Sequence, residues 1–414
     1  MQLMKHQVDM LEKTKNFSSV AYYLDMGLGK TFIGSEKVKQ INNKFTLIIC
    51  QKSKIDDWYE HFKEHYPEFN TLIYKKQKIK ELSYKTILII NYDSVWRRNE
   101  LLNLNNFYYT LMLDESQYIK NESAKRTKFI TKKLLPHNTI LLSGTPTGGK
   151  YEELYTQIKL LGWTISKSKF YEDYIVTKML DIGQPFMIEI VTGYRNVAKL
   201  KANLKKYGAV FMKSDEVITL PEQIDITKKV KNTKEYKTLE KEDITLFNGI
   251  EVVADTILKK ILYLRQFASI FNKNKLDTLK DLIESTSDRL IIFYNFKMEF
   301  EIIKKLCKQL DRPISFVNGS GRDVNNYNDV DNSITLVQYQ AGASGLNLQK
   351  ANKIIYYSPT QSAELHMQSK KRTHRIGQNR TCFYYYLVTE KSIEEKIYKS
   401  LEKGEDYTNK LFER

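Results

Sequence analysis

Residues 20–31 read VAYYLDMGLGKT, and this stretch decides the architecture of the chain. VAYYL is a continuous apolar run rather than an alternating one, the pattern of a strand buried on both faces of a parallel sheet. DMGLGKT follows at once and leads into a stretch of helical character. Glycines at such a junction let backbone N–H groups close around phosphate oxygens at a helix N-terminus. A lysine placed as Lys30 is can neutralise β- and γ-phosphates, and a hydroxyl placed as that of Thr31 can hold Mg²⁺. The full phosphate-loop pattern asks for an earlier glycine where Leu24 stands, so the turn alone also reads as a glycine-rich strand-to-helix connection.

Working outward, the same kind of run recurs at Phe45–Cys50 (FTLIIC), Thr86–Asn91 (TILIIN), Tyr108–Leu113 (YYTLML) and Thr139–Leu142 (TILL). The second half repeats the plan at Arg289–Asn295, Ile314–Val317, Ile334–Tyr339, Lys353–Tyr357 and Cys382–Val388. The pattern predicts an α/β chain of two tandem domains, each a parallel sheet flanked by helices. Between them, Leu154–Leu161 and Val197–Lys206 have helical periodicity, Leu220-Pro221 breaks it, and Lys228–Lys241 reads as a lysine-rich connector. The boundary is set near Pro221, giving domains of residues 1–220 and 221–414. The polar stretch Gly319–Ser333 reads as a surface loop.

A length of 414 residues suits two such domains. Lys and Arg total 66 against 49 Asp and Glu, a formal charge of +17 that favours a polyanionic partner, nucleic acid ahead of a membrane surface. No apolar run approaches the roughly 20 residues that span a bilayer, and the N-terminal MQLMKHQVDM has no signal-peptide core. Cys50, Cys307 and Cys382 lie too far apart for a disulfide framework or a four-cysteine zinc site. A cytoplasmic protein without zinc or membrane contact is the expectation.

Three further motifs bear chemistry. Asp114-Glu115-Ser116-Gln117 ends the run YYTLML, and a carboxylate at the end of a buried parallel strand faces the crevice where ligands bind. Asp114 there can hold Mg²⁺ through water, and Glu115 can orient and deprotonate an attacking water. Ser143-Gly144-Thr145-Pro146 follows TILL, where hydroxyls beside glycine can link a nucleotide site to another surface. QSKKRTHRIGQ, residues 368–378, puts Arg372 and Arg375 three apart, on one face if helical. A guanidinium supplied across a cleft stabilises charge on a transferring phosphoryl group. Each motif alone also reads as an ordinary turn or solvated helix face; together they read as a nucleoside triphosphatase.

The ordered set resembles a superfamily-2 helicase-type motor, most closely the Swi/Snf-type family of DNA-translocating ATPases. The segments are LMKHQVDML, DMGLGKT, LIICQKSKIDDWYEHFKEHYP, ILIINYDSVWRR, LDESQYIKNESAKRTK, LLSGTPTGGKYEELY, FMKSDEVITLPEQ, YLRQF, LIIFYNF, AGASGLNLQKANKIIYYSP, QSKKRTHRIGQ and YYLVTEKSIEEKIY. The resemblance runs from residue 3 to about residue 399. It implies two RecA-like lobes with ATP and Mg²⁺ between them. Gln7 matches the adenine-recognising glutamine, and Asp25, Met26, Gly27, Leu28, Gly29, Lys30 and Thr31 the phosphate loop, with Thr31 and Asp114 toward Mg²⁺. Lys30, Glu115, Arg372, Arg375 and Gln378 take the catalytic positions, and Ser143, Gly144, Thr145 and Gly345 the coupling ones. The family's DNA contacts fall on Lys52, Ser53, Lys54, Tyr92, Lys120, Asn121, Asn295, Lys297 and Ser344.

The chain departs from the family at Leu24-Asp25, where two acidic residues are usual, at Ser116-Gln117, at Ala343-Ser344 and at Lys370-Lys371. The motifs fill the sequence, so a bare motor on double-stranded DNA is expected, with any recruiting protein left unidentified. The alternatives are a strand-separating DNA or RNA helicase and an ATP-gated nucleic-acid clamp.

Overall fold

In the computed structural model, which describes residues 3–181, 187–342 and 346–412, VAYYL forms most of strand β1 (Ser19–Leu24). Its residues from Val20 onward are all out of water. The same holds for β2 (Phe45–Cys50), and for all but the last residue of β4 (Thr86–Asn91) and β5 (Tyr109–Asp114). With β3 (Asn70–Ile73), β6 (Asn138–Ser143) and β9 (Ala209–Met212) they make one sheet, in the order β3-β4-β2-β5-β6-β1-β9. Every pairing in it is parallel. The continuous runs follow from two apolar layers: Leu47, Leu111 and Leu113 face one, while Ile48, Met112 and Ile140 face the other.

The strand order is what places the chemistry. β5, β6 and β1 are consecutive neighbours, so DESQ, SGTP and DMGLGKT, far apart in sequence, leave the carboxyl ends of adjacent strands. Neighbouring strands lie only about 4.8 Å apart, so these three turns share one edge. The hairpin β7 (Ile175–Leu180) and β8 (Ile188–Tyr194) stands apart as a two-stranded sheet.

By backbone contacts the chain divides into two units, Met1–Thr219 with Asp406–Arg414, and Leu220–Glu405. The second unit has its own sheet of β10 (Gln223–Val230), β13 (Leu290–Tyr294), β14 (Ile314–Asn318), β15 (Gly321–Asp323), β16 (Ile334–Gln338), β17 (Lys353–Tyr356) and β18 (Cys382–Thr389). The order is β10-β18-β17-β13-β16-β14-β15. All of its pairings are parallel except β14 with β15. A separate antiparallel pair joins β11 (Ile244–Phe247) to β12 (Ile250–Val253). Both units are α/β, each built on a mainly parallel sheet. Among the described residues no helix is long and apolar enough to cross a membrane.

Two expectations are corrected. The stretch Lys228–Lys241, expected as a connector, belongs to the second unit's own elements: Lys228–Val230 closes β10, and Lys234–Glu242 is a helix whose Tyr236 and Leu239 are buried. Its lysines occupy solvated faces, and the sparse apolar residues between them carry the packing. The stretch Gly319–Ser333 holds β15 and the short helix Asn325–Asp329, anchored by buried Tyr327.

Candidate functional site

Helix α1 (Lys5–Lys13) and helix α2 (Lys30–Ile41) bracket the glycine-rich turn. Gly27 and Gly29 have φ of +88° and +73°, a left-handed conformation that glycine adopts without a Cβ penalty. Gly29 caps α2, whose first turn carries no acidic residue. A Cβ on Gly29 would lie 2.2 Å from Gln7 Nε2, so a side chain there would displace Gln7 from the loop. Left bare, the loop offers main-chain N–H groups at a positive helix end, which fits a polyphosphate. Lys30 Nζ donates to the Leu24 and Asp25 carbonyls at 2.8 and 3.2 Å. A Cβ added to Gly144 would sit 3.3 Å from the same Nζ, so the SGTP turn lies directly against the loop lysine.

Gln7 is buried against the loop, its Nε2 donating to the Leu28 and Gly29 carbonyls at 3.4 and 3.5 Å and its Oε1 accepting from Met4 N at 2.9 Å. His6, unmarked in the sequence, reaches the Leu28 carbonyl from Nε2 at 3.1 Å. The Asp25 carboxylate accepts from Ser214 Oγ at 2.8 Å and from Met26 N at 2.9 Å. It therefore braces the loop against the segment after β9.

The acidic turn is held from several sides. Trp58 on helix α3 (Ile55–His65) donates from Nε1 to Asp114 Oδ2 at 2.8 Å. Burial and then the neighbouring Glu115 charge push the Asp114 carboxyl up to about 6, opposed by the Trp58 hydrogen bond and the Lys30 and Lys54 charges. A carboxylate at that strand end, together with the hydroxyl of Thr31 in the first turn of α2, suits Mg²⁺, which takes one or two protein oxygens and completes its shell from phosphate and water. Glu115 has φ of +54°, a left-handed backbone rare for a residue with a Cβ and worth about 1 kcal/mol or more in strain. Gln117 Nε2 donates to Glu115 Oε2 at 2.9 Å, and Ser143 Oγ donates to Gln117 Oε1 at 2.7 Å. Thr145 N donates to Ser143 Oγ at 3.0 Å, so a continuous relay joins the SGTP turn to the Glu115 carboxylate.

The raised Asp114 carboxyl carries a testable consequence. In the metal-free protein its charge is lost as the pH falls through about 6, so capture of Mg²⁺ and ATP that depends on that charge weakens below this value. Trp58→Phe removes an interaction that lowers this pKa, so the acid limb of kcat/KM for ATP should move to higher pH, by about one unit if the lost bond is worth ~1.5 kcal/mol. The substrate's own titration is common to both proteins and cancels in the comparison. An unmoved limb would mean that Trp58 serves packing alone.

In the second unit, the helix Ala363–Lys370 stops before both arginines. Arg372 and Arg375 therefore sit in the turns beyond it, not on one helical face. Arg372 is buried and Arg375 half-buried, and desolvation pulls the Arg375 guanidinium below its usual pKa. Gln378 Nε2 donates to the carbonyls of Gln349 and Ala351 at 3.1 and 2.9 Å, and its Oε1 accepts from Arg380 N at 3.1 Å. Placed in a catalytic position by the resemblance, its amide is occupied in tying down the arginine turn.

The expected DNA contacts separate by exposure. Lys52, Ser53, Asn121 and Lys297 are exposed, while Lys54 and Lys120 are half-buried and paired with Asp57 and Glu153. Tyr92 is corrected: it is buried, and its hydroxyl donates to the Asp114 carbonyl at 2.9 Å, which supports the acidic turn from behind. Asn295 donates from Nδ2 to Ser358 Oγ and the Pro359 carbonyl at 2.8 and 2.9 Å, its N–H donates to Glu299 Oε2 at 2.8 Å, and its carbonyl accepts from Gln338 Nε2 at 3.1 Å. Ser344 and Gly345 lie outside the described residues. Trp58 and Gln117 had no signal of their own, because a tryptophan on an amphipathic helix and a glutamine in a turn both read as packing.

Comparison with known proteins agrees with this assembly of motifs. The SNF2-related domain family matches residues 10–273 and the helicase conserved C-terminal domain family residues 274–377. The ISWI chromatin-remodeling complex ATPase ISW2 of Saccharomyces cerevisiae is 25% identical over 427 residues, covering 90% of this chain and 37% of its own length. The DNA repair and recombination protein RAD26 of the same yeast is 24% identical over 414 residues, covering 90% of this chain and 38% of its own. The solved Sulfolobus solfataricus SWI2/SNF2 ATPase core in complex with dsDNA is 21% identical with a TM-score of 0.45, covering 100% of this chain and 94% of that one. The chain thus spans less than two fifths of the length of these two curated relatives. With the SNF2-related match running through the phosphate loop, the acidic turn and the SGTP turn, the chain belongs to the SNF2-related, Swi/Snf-type family of superfamily-2 helicase-like ATPases.

Proposed function

We propose that the protein is an ATP-driven translocase on double-stranded DNA. The observation that carries the reading is the convergence of the phosphate loop, the DESQ turn and the SGTP turn on three adjacent strand ends, with a hydrogen-bond relay between the last two. The loop N–H groups and Lys30 hold the phosphates, and Gln7 meets the adenine by leaving the loop carbonyls it now touches. Mg²⁺, when bound at Thr31 and Asp114, neutralises β- and γ-phosphate charge. Glu115 takes a proton from water as its oxygen attacks the γ-phosphorus and the bond to the β-phosphate oxygen breaks. Arg372 and Arg375 supply guanidinium charge to that transition state.

The polyanion reading rests on the +17 charge and on the exposed Lys52, Ser53, Asn121 and Lys297. Such contacts go to the backbone and carry no base sequence. The duplex preference comes from the family, whose curated members include a chromatin-remodeling ATPase and a DNA repair protein.

The test is ATP turnover with duplex DNA, single-stranded DNA and RNA. Duplex DNA should stimulate it independently of base sequence, and log affinity should fall with log salt by roughly 0.9 for each neutralised phosphate. A third strand should be displaced from a triplex while a forked duplex stays paired. Efficient opening of the fork would favour a strand-separating helicase, and stimulation by RNA alone would remove the DNA assignment.

A further inference from the structure

Gln157, on the helix Tyr155–Leu160, is completely buried within a run whose Leu154, Ile158 and Leu161 are core residues. A buried amide is unfavourable unless its hydrogen bonds are met, and apolar residues of the same size would serve packing alone. Its bonds go to three separate segments. Nε2 donates to the Pro146 carbonyl at 2.7 Å, in the SGTP turn. Oε1 accepts from Ser116 Oγ at 2.7 Å, in the acidic turn, and from the Tyr23 hydroxyl at 3.1 Å, on the strand that delivers the phosphate loop.

Ser116 directly follows Glu115, whose left-handed backbone needs holding. On its other side the Glu115 carboxylate is held by Gln117, which is held in turn by Ser143. The acidic turn and the SGTP turn are therefore joined twice, once through Gln117 and Ser143 and once through Gln157. The first link lies within the motifs themselves, whereas Gln157 belongs to none of the motifs assigned a role above.

We infer that Gln157 is a positioning residue for hydrolysis: by fixing Ser116 to the Pro146 carbonyl it keeps the Glu115 carboxylate aimed at the attacking water. This rests on reading Glu115 as the water-activating base. A group displaced by about 1 Å can lose ~10²-fold in rate, so Gln157→Met should lower kcat by roughly 10–100-fold with KM for ATP little changed, when assayed below a melting temperature that is itself reduced by the partners it leaves unsatisfied. A purely structural amide would instead lower the melting temperature and leave kcat of the folded variant at the parental value.

The decisive measurement is a double-substitution cycle in the full chain, by single-turnover hydrolysis of ATP. If Gln157 acts through Glu115, then Gln157→Met should cost little further in a Glu115→Gln background, since coupled groups are strongly non-additive. A cost that persists in full in that background overturns the inference while leaving the base assignment intact. Parent-like hydrolysis by Glu115→Gln alone overturns both. Ser116→Ala cuts a single arm of the junction and removes almost no volume, so it carries the test if Gln157→Met fails to fold. Its kcat should fall at constant KM, and a parental kcat there would overturn the inference.

Discussion

Arg375→Ala is expected to lower ATP turnover in the presence of duplex DNA by roughly 10³–10⁵-fold, the range seen when a transition-state arginine is removed. Ground-state affinity for ATP should change little, because in the proposed reading the guanidinium acts on charge that develops only as the γ-phosphoryl group transfers. The local structure favours that division of labour. Arg375 lies in a turn fixed by Gln378, whose amide is anchored to the Gln349 and Ala351 carbonyls, so the arginine's own backbone is held in place before any nucleotide arrives. Its partial burial removes water from around the charge and strengthens whatever interaction it makes with phosphate. Turnover measured beside ATP binding by fluorescence titration checks the point. Loss of binding and hydrolysis in equal proportion would assign Arg375 to ground-state binding or to folding of the turn.

The second large effect is expected at Glu115. Glu115→Gln keeps the shape of the side chain and leaves the phosphate loop untouched, but removes the carboxylate that accepts the proton of water. Hydrolysis should fall by roughly 10²–10⁴-fold while ATP stays bound, so the variant should accumulate as a nucleotide complex. Lys30→Ala provides the contrast, since it removes phosphate charge and should weaken binding itself. The relay from Ser143 through Gln117 adds a detail. Gln117 Nε2 now donates to a carboxylate oxygen, and in Glu115→Gln it faces an amide that can be turned to offer its oxygen, so the turn should keep its conformation. Wild-type turnover in Glu115→Gln would remove the base assignment.

Legibility in the sequence tracked how local each feature is. Runs such as FTLIIC and TILIIN announce strands because each of their residues packs on one of two apolar layers, and the structure bounds both at the same residues. NTLI and AVFM, the strands β3 and β9, do not announce themselves, since four residues at the edge of a sheet carry too little apolar signal. The family resemblance places Tyr92 and Asn295 among the DNA contacts. Burial and hydrogen bonding to Asp114, Ser358 and Pro359 are contacts made across 20 to 65 residues of chain, which spacing does not reveal.

By itself the sequence determined which residue types stand at the ends of which strands: glycine, lysine and threonine after β1, two carboxylates after β5, hydroxyls after β6. It could do so because strand burial and turn chemistry are written in neighbouring residues. Only the tertiary structure decided that β5, β6 and β1 lie side by side, and hence that these turns meet. It also decided that Trp58 supports Asp114, that the Asp25 carboxylate accepts from Ser214, and that Gln157 ties three segments together. The physical reason is that parallel strands are joined by crossovers, so their order in the sheet is fixed by the packing of whole layers and not by any stretch of the chain.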